Sequence, residues 1–181
     1  MAGTLQQGNQ YRGNRWRVAI WSAAAGLLAL PMVAMQFTRD VNWTATDFLT
    51  LGTMLAVACG SYELATRKSG NAAYRAAAAV AVSAAFFMVW INLAVGIVGD
   101  PGNAANMLFA GVLVAGIVGA VVARFQAEGM VRAMVAIAVV QALVGAIAFL
   151  AGSMEGGVIS GVFTAAWLVS AWLFAKAARS P

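Results

Sequence analysis

Along the chain, uncharged and largely apolar runs alternate with short polar breaks; the runs are 18–38, 48–62, 76–99, 101–123, 133–154 and 156–175. A helix crossing a hydrocarbon layer about 30 Å thick, at 1.5 Å per residue, needs about 20 such residues. Every run but the second meets that length as it stands. The second reaches it only if Asp47 opens the helix at one interface and Glu63 closes it at the other, with Arg67 one turn further along the same face. The pattern therefore predicts helices over 17–37, 47–66, 73–98, 104–124, 131–151 and 157–177. This is an all-α, polytopic membrane protein: a six-transmembrane-helix bundle forming one domain over 17–178, behind a short polar, unstructured tail over 1–16.

Composition strengthens the membrane reading. Of 181 residues, 62% are hydrophobic and 9% charged, against about a quarter charged in ordinary soluble domains. The first run is too long, and its flank too poor in a small-residue cleavage site, for a removable signal peptide, so it reads as a retained anchor.

Charge sets the expected orientation. Arg12, Arg15, Arg17, Arg67, Lys68, Arg75, Arg124, Arg132, Lys176 and Arg179 all fall in the tails or the even-numbered loops, leaving Arg39 alone opposite. Because Lys and Arg are retained on the cytoplasmic side, both termini are expected in the cytoplasm, in the inner (plasma) membrane of a bacterium. Asp40, Asp47, Asp100 and Glu155 then lie outside. The basic inner face should attract anionic lipid headgroups, by about 1 kcal/mol per base. Nucleic acid is not an expected partner, since the bases are spread over helix ends without aromatic platforms.

The same composition removes much chemistry. With no His and a single Cys, Cys59, the chain cannot form an intramolecular disulfide, build a His or multi-Cys metal site, ligate haem through His, or run a Ser-His or Cys-His relay. No cofactor, metal or catalytic residue is assigned. What remains is a scatter of polar groups. On the outer side Asp40, Asp47, Asn92, Asp100, Asn103 and Asn106 form a candidate polar site, and Gln141 stands near the middle of helix 5. Each also has a structural reading. Asn103 or Asn106 can cap helix 4, Asp100-Pro101-Gly102 is a turn, and Asp47 suits a helix N-terminus. Asn92 can bond across to another helix, and Gln141 either lines a polar path or is satisfied by a neighbour. Tyr74 reads as an interfacial anchor, and Trp167 as packing inside the bundle.

Small residues four apart favour close helix contact in lipid. They recur as Gly52, Ala56, Gly60; Ala73, Ala77, Ala81, Ala85; Gly111, Ala115, Gly119, Ala123; Ala138, Ala142, Ala146; and Gly157, Gly161, Ala165. These stripes point to tight packing within one subunit, self-association or docking on other membrane proteins.

The stretches MQFTRDVNWTATDF, YELATR, VWINLAVGIVGDPGNAANMLFAGVL and ARFQAEGMVRAM, spread over residues 35–140, resemble a family of small, multi-pass bacterial inner-membrane proteins with no established activity. That family's loop between the third and fourth spans reads acidic-Asn-Pro-Ala-Asn; Asp100, Asn103, Ala104 and Asn106 match it, while the proline stands at Pro101. The resemblance implies a membrane location and interest in that outer loop, and no reaction. Function then divides between a non-catalytic membrane subunit, scaffold or assembly factor and a small-solute or cation transporter or channel with an acidic and amide vestibule. An enzyme using the outer acids ranks third.

The orientation has a direct check. A phosphatase fused after Pro181 should be inactive and a fluorescent protein fused there bright; the reverse result would place the C-terminus outside.

Overall fold

A computed structural model describes residues 16–67 and 69–180 in full and residues 2–15 by backbone alone. Except for Trp16, the expected tail over 1–16 lies outside the fully described residues. Among the described residues there are helices and no strands: α1 (Ala2–Phe37), α2 (Ala45–Thr66), α3 (Ala72–Ala94), a 3-10 turn (Ala104–Asn106), α4 (Met107–Val122), α5 (Ala127–Leu150) and α6 (Met154–Ala178). Six segments are long and apolar enough to cross a membrane, the first being Trp16–Phe37 within α1. The chain divides into two compact units, 1–63 and 64–181.

The first unit is an antiparallel pair. Arg17 on α1 pairs with Glu63 on α2 at 3.0 Å, and further along a Cβ on Gly52 of α2 would sit 3.6 Å from the Leu28 side chain of α1. Both contacts share one register. The sequence offered Arg67, one turn away, as a partner of Glu63; the bond that ties the two helices together comes from Arg17. Helix α2 starts with a capping box. Asp47 accepts from the Thr44 N–H at 2.7 Å and from its hydroxyl at 2.8 Å, and the Asp47 N–H reaches back to Thr44 Oγ1 at 3.4 Å. Trp43 packs edge-on against Phe48 across this cap, with centroids 5.3 Å apart.

In the second unit α6 packs on α5 and α3, and α5 also packs on α4. Asn71 starts α3 by accepting from the Ala73 and Tyr74 N–H groups, and Ser153 starts α6 by accepting from Gly156. Bonds from side chain to backbone tie α3 to other elements of the unit. The Ser170 hydroxyl donates to the Ala77 carbonyl of α3 at 2.9 Å, and the Tyr74 hydroxyl donates to the Phe125 carbonyl at 2.6 Å. Tyr74 is buried and stacks edge-on with Phe174, so it is a core residue and not the interfacial anchor expected. Its bond holds the turn between α4 and α5, where Arg124 and Phe125 both adopt left-handed backbone, φ 49° and 58°.

The small residues act at particular levels. A Cβ on Gly119 of α4 would meet the Ala133 Cβ of α5 at 3.0 Å, and one on Gly145 of α5 would lie 2.5 Å from the Ser160 Cβ of α6. By contrast Ala142, Ala146, Gly161 and Ala165, all in the expected stripes, are exposed. A strict four-residue repeat rotates about 40° per step around an α-helix. It therefore leaves a packing face after two or three steps, whereas the buried face of α6 alternates four- and three-residue steps through Gly156, Ser160, Phe163, Trp167 and Ser170.

Gly145→Ala should lower the unfolding midpoint in detergent, because over-packing a close helix contact costs about 1–3 kcal/mol. Gly161→Ala, with nothing within 4 Å of the added carbon, should leave it level or higher. Equal effects would contradict the assigned α5–α6 register.

Candidate functional site: polar groups inside the second unit

The residues of the expected outer site are divided between the two units. Asp40 and Asp47 belong to the first unit, and both are exposed. Asp40 accepts from the Thr38 hydroxyl at 3.0 Å, and Asp47 is the cap carboxylate described above. In the second unit Asn92, Asp100, Asn103 and Asn106 all border the segment joining α3 to α4.

That segment begins where Gly96, at φ 77°, stops α3 short of the expected residue 98. Its N–H still reaches the Ile91 carbonyl at 3.1 Å. An added Cβ there would approach the Asp100 carbonyl carbon to 2.8 Å and the Pro101 nitrogen to 2.9 Å, so the chain folds tightly upon itself. Ile97 and Val98 are consequently buried without belonging to a helix. Their N–H groups need an acceptor that the helix no longer supplies.

Asn106 supplies it. Its Oδ1 accepts from Ile97 at 3.1 Å and Val98 at 2.9 Å, while its Nδ2 donates to the Asp100 carbonyl at 2.9 Å. The Asn92 Nδ2 in turn donates to the Asn106 carbonyl at 3.1 Å. Asn106 thus caps the returning loop and leaves the α4 N-terminus without a side-chain cap. Asn103 caps the 3-10 turn, accepting from Ala105 at 3.0 Å. Asp100 engages this knot through its main-chain carbonyl, and its residue is exposed.

Deeper in the unit, Gln141 is fully buried, and neither its Oε1 nor its Nε2 has a protein hydrogen-bond partner. Packing does not supply the satisfying neighbour. The Ser160 hydroxyl and the Trp167 indole N–H, both on α6, are buried and unpartnered too, as is Asn92 Oδ1. Ser160 was not singled out from the sequence, where a serine in an apolar helix carries little signal. Trp167 is packed inside as expected, but its N–H is unanswered by protein. Unpaired polar groups of this kind cost about 1–3 kcal/mol each in a protein interior.

No group of three or more His, Cys, Asp or Glu residues able to hold a metal occurs among the described residues. The fold and these interior groups define the chain as an all-helical protein with six helices suited to crossing a membrane. No family model, curated protein or solved structure matches it.

Asn106→Leu strands two buried N–H groups, at about 1–3 kcal/mol each. Its unfolding midpoint should fall by several degrees, and proteolysis should open at 96–103. An unchanged midpoint would show that the loop does not depend on this amide.

Proposed function

We propose that the protein is a non-catalytic integral subunit, scaffold or assembly factor of the bacterial inner membrane. In this reading both termini are cytoplasmic, and helix faces rich in small residues dock on other membrane proteins or on further copies of the chain. One observation carries it: Gly60, Gly111 and Gly161, each inside a helix, are exposed and have nothing within 4 Å of where a Cβ would sit. Glycine within a helix costs about 1 kcal/mol relative to alanine, and toward lipid it offers no side chain for contact. It repays that cost where another helix approaches closely. Basic residues at helix ends, Arg75, Arg132 and Lys176 among them, would meet anionic headgroups.

The second reading, passage of a small solute, is favoured by the unpartnered amide of Gln141 inside α5. No acid accompanies it: the charged residues of α5 and α6 are Glu128, Arg132, Glu155 and Lys176, all near helix ends. A neutral solute therefore suits this interior better than a cation.

Purification in mild detergent decides between them. The association reading predicts a stoichiometric partner or a dimer whose recovery falls at least several-fold in Gly60→Ile or Gly161→Ile, with the monomer still folded. A monomer without partner, unaltered by either substitution, combined with solute flux in liposomes that Gln141→Leu abolishes, would favour the second reading and sink the first.

A further inference from the structure

Gln141, Ser160 and Trp167 share one interior. The α5–α6 register follows from two contacts: Gly145 lies against Ser160, and Gly157 against Phe149. The helices are therefore antiparallel, so moving from Gly145 to Gln141 on α5 runs the same way as moving from Ser160 to Trp167 on α6. At 1.5 Å per residue, Gln141 lies about 6 Å from the Ser160 level and Trp167 about 10 Å from it. The amide accordingly stands between the hydroxyl and the indole along the axis. All three belong to the buried faces of their helices. Nearby hydroxyls are already engaged, since Thr164 donates to the Ser160 carbonyl at 2.8 Å and Ser170 to the Ala77 carbonyl.

We infer that this layer is a binding site for neutral, oxygen-bearing hydrogen-bonding molecules: a short file of water, or a small neutral solute of the same chemistry. The donor and acceptor inventory selects the class. The Gln141 amide offers two N–H donors and a carbonyl, Trp167 one N–H, and Ser160 a hydroxyl that both gives and takes. Donors and acceptors are both present, which suits a ligand oxygen that accepts and can also donate. None of the groups is charged, and the charged residues of α3, α5 and α6 are Arg75, Glu128, Arg132, Glu155 and Lys176, each within the first or last turns of its helix. An ion would have no counter-charge in a low-dielectric interior, where its desolvation is far costlier than that of water. Buried water commonly completes the hydrogen bonds of such groups, and it costs little to immobilise. The site is distinct from the association reading and survives its failure.

The test uses the full chain in detergent micelles or nanodiscs with 15N-labelled tryptophan. The Trp167 indole resonance is assigned by its loss in Trp167→Phe. The expected result is a magnetisation-transfer cross-peak between this N–H and water, weakened at least two-fold in Gln141→Met. A cross-peak to solute protons instead, with a stoichiometric neutral solute found by mass spectrometry of the denatured protein, would assign the same site to that solute. A Trp167 N–H with neither cross-peak overturns the inference. Thermal unfolding supplies an independent sign. A bonded amide predicts that Gln141→Met lowers the midpoint or leaves it level, whereas a dry, unpaired amide predicts a rise of several degrees, which would also overturn it.

Discussion

Hydrocarbon offers no hydrogen bonds, so each backbone N–H and carbonyl that leaves a helix inside the membrane must find a partner within the protein. The joint between α3 and α4 shows what this demands. Gly96 ends α3 while the chain is still buried, freeing the N–H groups of Ile97 and Val98. One asparagine side chain, from a residue later in the chain, accepts from both. At the opposite end of the unit Tyr74 answers the left-handed turn at Phe125. The connections α3–α4 and α4–α5 are each completed by a side chain from outside the turn itself.

Close approach follows from the same absence of solvent. With no water to expel, helices gain from van der Waals contact and a few interhelical hydrogen bonds. Gly145 lets α5 approach Ser160, and Gly119 lets α4 approach Ala133. Ser170 then bonds α6 to the Ala77 backbone of α3. Residues of these types are interchangeable in composition but not in position, since only those on the facing side at the contact level bring helices together.

The six spans were legible because charge punctuates them, and a burst of apolar residues of the right length has few other homes. The helix-start signal at Asp47 was legible as well, although its partner, Thr44, was not named. The polar residues were harder. Asn103 and Asn106 both read as caps, and nothing local distinguishes a side chain that caps its own helix from one that reaches back to Val98. That difference depends on Gly96 turning the chain, a tertiary event. The small-residue stripes did not by themselves tell which positions meet inside the unit, as Gly145 does, and which are exposed, as Gly161 is. Gln141 was conspicuous in an apolar helix, but its lack of a protein partner emerges only when α6 is laid against it.

Amide hydrogen exchange on the protein in a bilayer tests the central claim most directly, because it reports on backbone satisfaction site by site. The account predicts six slowly exchanging blocks matching the spans, separated by fast exchange at 39–43 and 99–102, with Ile97 and Val98 protected despite lying outside any helix. Rapid exchange at Ile97 and Val98, or a span that exchanges throughout within seconds, would contradict it.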